Sequence, residues 1–246
     1  MEQSICIAGK NNIAIGVCDY ILENYPEVTL YAITNRTDKG INGSQRSFKS
    51  YLLQHPNIRQ IVLEDVYSVE NLIFLSAEFD QIVKPKLFHS DRLYNIHFSY
   101  LPAYKGMYTS ALPIINHEKA TGVTFHKIDA GIDTGDIIDQ TQIEILHDET
   151  AESLYTKLIE EGIKLIVKHI PSIIENNIQS YPQDIIGSSY YSKTAIDYNN
   201  LRVNTNQTAY QIEAEIRAFH FRDYQLPHIN GVPIIKAAIL SNRSEK

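Results

Sequence analysis

The chain has 246 residues, 43% of them hydrophobic, with 22 Lys and Arg against 29 Asp and Glu and a formal net charge of −7. That length suits one large domain, or one domain with a smaller appendage, and the supply of Ile, Leu, Val and Tyr suits a soluble globular core. No stretch gathers Lys and Arg densely. This argues against tRNA or DNA as substrate, because a protein that grips a nucleic-acid backbone presents a basic face, while a local basic pocket for one small phosphorylated ligand stays open.

In chain order, "SICIAG" (4–9) is a short apolar strand run ending in Gly. "NNIAIGVCDYILENY" (11–25) places apolar residues at helical spacing, with Asn11 or Asn12 available as its cap. "VTLYAIT" (28–34) reads as the next strand, so the chain begins β-loop-α-β, the start of a parallel sheet with crossover helices. A helix is expected near 45–54, buried strands over 71–79 and 94–100, a helix over 108–119, and strands over 122–128 and 136–145. The clearest helix spans 150–177, with Leu154, Leu158, Leu165 and Ile166 near one face and Glu152 in its first turn. After it the texture turns Tyr-rich and irregular, a helix follows over 207–218, and Asn230-Gly231 between apolar runs signals a two-residue hairpin. The expected organisation is an α/β domain with a mainly parallel sheet over 1–180 and a small C-terminal segment, 181–246, with a helix and a β-hairpin.

Cys6 lies in the first strand and Cys18 on the first helix's apolar stripe; both read as buried small hydrophobes, and no zinc spacing exists. The N-terminal "MEQSICIAGK" lacks the basic start and long apolar run of a secretory signal. The most apolar helical stretch, 163–174, is interrupted by Lys164, Lys168, His169 and Pro171 and is too short and charged to span a bilayer. A cytoplasmic protein without a membrane partner is expected.

Three segments are candidates for chemistry. "GKNNIAIG" (9–16) sits where doubly wound folds place phosphates, at a helix N-terminus, yet it matches neither G-x-G-x-x-G nor the P-loop. Lys10, Asn11 and Asn12 either cradle a diphosphate or form a plain β–α turn. In "NIHFSYLP" (95–102), Asn95 and His97 share one strand face near a carboxyl end. Asn offers a donor to a developing oxyanion and imidazole exchanges a proton near neutral pH, although the pair also suits two structural polar residues. "TGVTFHKIDAGIDTGDII" (121–138) holds Asp129, Asp133 and Asp136 around Gly131 and Gly135. Its glycines let backbone approach a ligand, and a buried carboxylate beside an imidazole would orient it; turn chemistry is the alternative, and the spacing does not fit a calcium loop.

Together, N-x-H-x-S-x-L-P at 95–102 and T-G-V-T…D-x-G-x-D-T-G-D ending at Asp136 resemble the formyltransferases that use N10-formyltetrahydrofolate, a family that includes methionyl-tRNA, glycinamide ribonucleotide and sugar N-formyltransferases. The resemblance covers residues 1–175 and implies a Rossmann-like core with a catalytic trio at Asn95, His97 and Asp133. It implies that Asn95 and His97 donate hydrogen bonds to the formyl oxygen, that Asp133 holds the His97 ring, and that no metal takes part. The pterin is expected against two loops, through Ser76, Glu78, Phe79 and Ile82 on one and Asp129 and Gly131 on the other.

The tail resembles that of enzymes acting on dTDP-linked amino-dideoxysugars for bacterial surface polysaccharide (O-antigen), where the hairpin pairs two subunits; a homodimer is therefore expected. Phe219, Phe221 or Tyr224 would stack on thymine, unless they are core and dimer packing, and Arg222 or Lys10 would meet the diphosphate. Tyr104 and Lys105 would touch the sugar. The 4-amino-4,6-dideoxyglucose nucleotide is favoured over the 3-amino isomer, with methionyl-tRNA formylation and a non-catalytic folate- or nucleotide-binding module as the alternatives.

Overall fold

The computed structural model describes residues 3–221 and 225–240. The chain opens with β1 (Ser4–Gly9), buried throughout. Such a run, without alternation, is what a strand covered on both faces requires. Its side chains still alternate between the two faces: Ile5 and Ile7 join one core cluster, Cys6 and Ala8 the other. Both cysteines are buried and free. α1 (Asn11–Asn24) buries Ile13, Ala14, Val17, Cys18 and Ile21 on one stripe. β2 (Thr29–Thr34) and α2 (Phe48–Leu53) follow, the latter capped by Ser47, whose hydroxyl accepts the Ser50 N–H at 3.0 Å.

After β3 (Arg59–Gln60) come β4 (Leu72–Ala77), again wholly buried, and β5 (Leu93–His97). The strand predicted over 94–100 stops at His97. Next are β6 (Lys105–Gly106), α3 (Leu112–Ile115), β7 (Ala120–Lys127) and β8 (Ile137–Glu144). The helix predicted over 108–119 is reduced to α3, because Tyr108 at φ 64° and His117 at φ 55° take left-handed backbone on either side of it. α4 (Ala151–Ile174) begins at the Thr150 cap, whose hydroxyl accepts from the Ser153 N–H at 3.2 Å. At its other end the Arg92 guanidinium donates to the Ile173 and Ile174 carbonyls, satisfying acceptors that have no partner inside the helix.

β9 (Tyr190–Tyr191), α5 (Ala209–Phe219), β10 (His228–Ile229) and β11 (Val232–Pro233) complete the chain. β10 and β11 pair antiparallel around Asn230 at φ 50° and Gly231 at φ 81°, the two positive φ values that a tight hairpin of this kind needs. The segment beyond residue 180 is bound to the rest. Ile196, Leu201, Ala218 and Phe219 enter the main core, and β9 pairs in parallel with β6. Among the described residues no helix is long and apolar enough to cross a membrane.

Seven strands form one sheet in the order β3-β2-β1-β4-β5-β7-β8. The first five run parallel, whereas β7 is antiparallel to both β5 and β8. β1 lies between β2 and β4, so the strand order reverses there and a crevice opens at the carboxyl ends. Gly9 keeps that crevice tight, because a Cβ placed on it would lie 1.9 Å from the Ala77 carbonyl oxygen on β4. Gly9→Ala must therefore push β1 and β4 apart, and is expected to lower unfolding free energy by about 3 kcal/mol in urea titration.

Candidate active site

A cavity of about 820 Å³ opens at the carboxyl ends of β1, β4 and β5, and Lys10, Ser76, Glu78, Asn95, His97 and Asp133 all reach it. Asn95 and His97 project together because they are two apart in β5. Across the antiparallel ladder, Asn95 faces His126 of β7.

His97 is held at one ring nitrogen and faces a carboxylate with the other. Nε2 lies 2.8 Å from the Tyr104 carbonyl oxygen. A carbonyl only accepts, so Nε2 carries the proton, and in the neutral ring Nδ1 is a bare lone pair. That Nδ1 is 3.5 Å from Asp133 Oδ2, longer than a firm hydrogen bond. Burial pulls the His97 pKa below its ordinary value, opposed by the Asp133 charge and the Tyr104 carbonyl. The ring is thus a neutral acceptor facing a carboxylate. The donor role that the family resemblance assigned to His97 is not the one this geometry offers, since its one N–H is spent on Tyr104.

Asp133 takes φ 53°. Its Oδ2 accepts the Gly106 N–H at 2.9 Å and its Oδ1 accepts from Asn95 Nδ2 at 3.3 Å. Burial alone would raise its pKa, but His97, His126 and the Gly106 N–H outweigh burial and bring it down to about 2. His126, which the sequence reading did not single out, fixes Asn95. Its Nδ1 donates to the Lys127 carbonyl at 2.8 Å, leaving Nε2 to accept from Asn95 Nδ2 at 3.0 Å. The Asn95 amide is therefore oriented with its N–H groups toward His126 and Asp133. The available signal was the His126 position inside "TFHKI", but only the ladder register places it opposite Asn95.

Within the loop that carries Asp133, Asp129 Oδ1 accepts the Gly131 N–H at 3.0 Å and the Thr134 hydroxyl at 2.6 Å. Gly135 lies so close to β7 that a Cβ would be 1.9 Å from the Lys127 carbonyl oxygen.

The six residues expected to meet a pterin, Ser76, Glu78, Phe79, Ile82, Asp129 and Gly131, all line the cavity, with Ile128 and Ile132 adding apolar wall. Burial raises the Glu78 pKa, and Lys10 and the Tyr155 hydroxyl counter it. Lys10 Nζ lies 3.8 Å from Glu78 Oε1, and Tyr155 donates to Glu78 Oε2 at 2.6 Å.

Of the expected substrate contacts among the described residues, only Lys10 lines the cavity. Asn11 donates to the Tyr155 hydroxyl at 2.7 Å, and Asn12 accepts the Arg46 N–H at 3.2 Å. Tyr104 reaches the site through its carbonyl alone; its ring stacks on Tyr191 with centroids 5.4 Å apart and its hydroxyl donates to Glu118. Lys105 Nζ donates to the Ser188 hydroxyl at 3.1 Å. Phe219 is buried in the core, and Phe221 packs edge-on against Tyr155. Each of these residues makes a packing or scaffold contact within the chain. Arg222 and Tyr224 lie outside the described residues. The far wall is instead built by Tyr108, Thr109, Tyr190, Ser192 and Lys193, brought in by the β6–β9 pairing. Among the described residues no three His, Cys, Asp or Glu side chains are grouped to hold a metal ion.

Residues 44–170 match the formyl transferase family. The N-formyltransferase from Helicobacter canadensis, solved with folinic acid and dTDP-3-aminofucose, is 45% identical, superposes with a TM-score of 0.89, and is covered over 87% of its chain by 96% of this one. WlaRD, a sugar 3N-formyl transferase solved in the presence of dTDP and 5-N-formyl-THF, is also 45% identical, with a TM-score of 0.90 over 98% of this chain and 88% of that chain. The methionyl-tRNA formyltransferase of Agathobacter rectalis is 26% identical over 239 residues, 92% of this chain and 76% of its own length. Its counterpart in Halalkalibacterium halodurans is 37% identical, but over only 54% of this chain and 43% of its own. With a family match over half its length and 45% identity to structures that parallel nearly all of it, the chain belongs to the formyl transferase family and is a formyltransferase.

Proposed function

We propose that this chain moves a formyl group from N10-formyltetrahydrofolate to the amine of a dTDP-linked amino-dideoxysugar, a step toward surface polysaccharide. The observation that carries the reading is the His97 ring, fixed with Nδ1 bare and facing an ionised Asp133 inside a cavity large enough for two ligands. The walls fit a folate: Phe79, Ile82, Ile128 and Ile132 offer apolar surface beside two loops of accessible backbone. The folate supplies an activated formyl carbon, and the protein supplies orientation and electrostatics.

Asn95 donates an N–H to the formyl oxygen as charge builds there, giving up its longer bond, the 3.3 Å one to Asp133. His97 Nδ1 takes the proton shed by the attacking amine and returns it to N10 of the departing tetrahydrofolate as the formyl C–N10 bond breaks, with Asp133 facing the intervening imidazolium. One well-placed donor contributes about 3 kcal/mol to such a step, so Asn95→Ala is expected to lower kcat by about 10²-fold with KM little changed, measured by steady-state kinetics.

Sequence alone favoured the 4-amino sugar. The two structures at 45% identity are described by a 3-amino sugar and a 3N-formyl transfer, and we therefore place the 3-amino isomer first. The 4-N formyltransferase from Francisella tularensis is 20% identical and bears on the fold alone. Methionyl-tRNA formylation is the second reading, favoured by the relatives at lower identity. Incubating the protein with formyltetrahydrofolate and dTDP-3-amino, dTDP-4-amino and methionyl-tRNA acceptors, and looking for a mass gain of one formyl group, separates them. Formylation of tRNA alone, weakening steeply with salt as phosphate contacts do, overturns the proposal. We also propose a homodimer through the β10–β11 hairpin, where Val232 and Ile235 are exposed; light scattering tests it.

A further inference from the structure

We propose that Gln183 is a positioning residue for Asp133, holding the loop that carries the carboxylate from outside and thereby setting its reach to His97. The inference rests on the formyl-transfer reading. Gln183 Nε2 lies 2.9 Å from the Asp133 carbonyl oxygen and 2.8 Å from that of Gly135. Both acceptors are carbonyls, so the amide nitrogen must be the atom placed there, and both of its hydrogens are spent on this loop.

Asp133 needs such a hold. Its φ of 53° is backbone that a non-glycine residue keeps only when its surroundings impose it. Asp129 ties Gly131 and Thr134 within the loop, and Gly135 abuts Lys127, but the carbonyl of Asp133 itself is gripped by Gln183. Gln183 is in turn anchored two residues upstream, where Tyr181 and Ile137 exchange backbone hydrogen bonds of 2.8 and 2.9 Å. Among the described residues the Gln183 side-chain Oε1 is buried without a hydrogen-bond partner. Leaving that acceptor unmatched is costly, whereas both hydrogens of the same amide are used on the Asp133 loop.

Without this clamp the Asp133 carboxylate retreats from the bare Nδ1 of His97. Burial lowers the basicity of His97; Asp133 and the Tyr104 carbonyl raise it, and His126 on β7 and Lys105 on β6 lower it further. Loosening Asp133 therefore moves the His97 titration to lower pH.

The test is Gln183→Leu, with Gln183→Glu as a second variant that keeps the shape and, once ionised, has no donor. Both are expected to lose at least about 10-fold in kcat at pH 8, as a small misplacement of a catalytic group does, with KM for both substrates within about two-fold. In NMR of the substrate-free protein, the His97 titration of Gln183→Leu shifts to lower pH. Wild-type kcat in either variant overturns the proposal, as does a loss of kcat in Gln183→Leu with a lowered Tm and an unshifted His97 titration, which marks a role in folding only. If Gln183→Leu does not fold, Gln183→Glu decides. If the wild-type protein formylates no acceptor, the functional reading fails, and the NMR titration still decides the role of Gln183.

Discussion

Asp133→Asn is expected to lower kcat by about 10³-fold, as happens when the partner of a catalytic histidine is exchanged for an amide and the ring's proton arrangement is spoiled. The reason lies in the tautomer. His97 Nε2–H is committed to the Tyr104 carbonyl, so the reactive lone pair is on Nδ1, 3.5 Å from Asp133. An amide there turns an N–H toward that lone pair and caps it, and it offers no charge to the imidazolium. With its nitrogen in the Oδ2 position the amide leaves the Gly106 N–H facing a donor, and only its oxygen, a weaker acceptor than a carboxylate, remains for Asn95 Nδ2. Steady-state kinetics reads the loss; a variant retaining a tenth of wild-type turnover would remove the carboxylate from the mechanism. Stability changes too, with a definite sign. The native Asp133 pKa of about 2 lies below its ordinary 3.8, so the ionised carboxylate stabilises the fold above the ordinary carboxylate range and stops doing so as pH falls toward 2. The Tm gap between wild type and Asp133→Asn should therefore be open above the ordinary carboxylate range and close as the solution is acidified toward pH 2.

His97→Ala is expected to cost at least about 10²-fold in kcat, the usual contribution of a positioned base, while calorimetric affinities for folate and sugar nucleotide survive. The pH profile carries a second signature. A base must be neutral to act, and burial lowers the His97 pKa below 6.5. Wild-type kcat should accordingly rise with pH through a midpoint on the acid side of the ordinary histidine value, and His97→Ala should lack that limb. Unchanged turnover, or an acid limb that outlives the ring, would assign the proton transfer to another group.

Much of this site was legible from local pattern. Asn95 and His97 lie two apart in a strand, so their common direction follows from the pleat, and Asp133 sits in a loop whose glycines mark close backbone approach. The parallel sheet followed from strand and helix runs that alternate. What was not legible depends on pairing between distant segments. His126 reaches Asn95 only through an antiparallel register, and Lys193 and Tyr190 reach the cavity only because β9 lies beside β6. The aromatic residues Phe219 and Phe221 have the chemistry to stack on a base, and composition cannot say that they face the core instead. Tyr104 was expected to touch the sugar, and its carbonyl holds His97 Nε2, a contact that no residue-type argument reveals.

That last feature bears on how the enzyme tolerates genetic drift. The group that dictates which imidazole nitrogen is protonated belongs to the main chain, at a residue with φ 58°. Every amino acid brings the same carbonyl, so no codon change at position 104 deletes it; a replacement perturbs the base only by redirecting the path of the peptide. A saturation library at this codon should thus divide by backbone tolerance, with Asn and Gly retaining the histidine's basicity and β-branched residues losing it, regardless of whether an aromatic ring is kept.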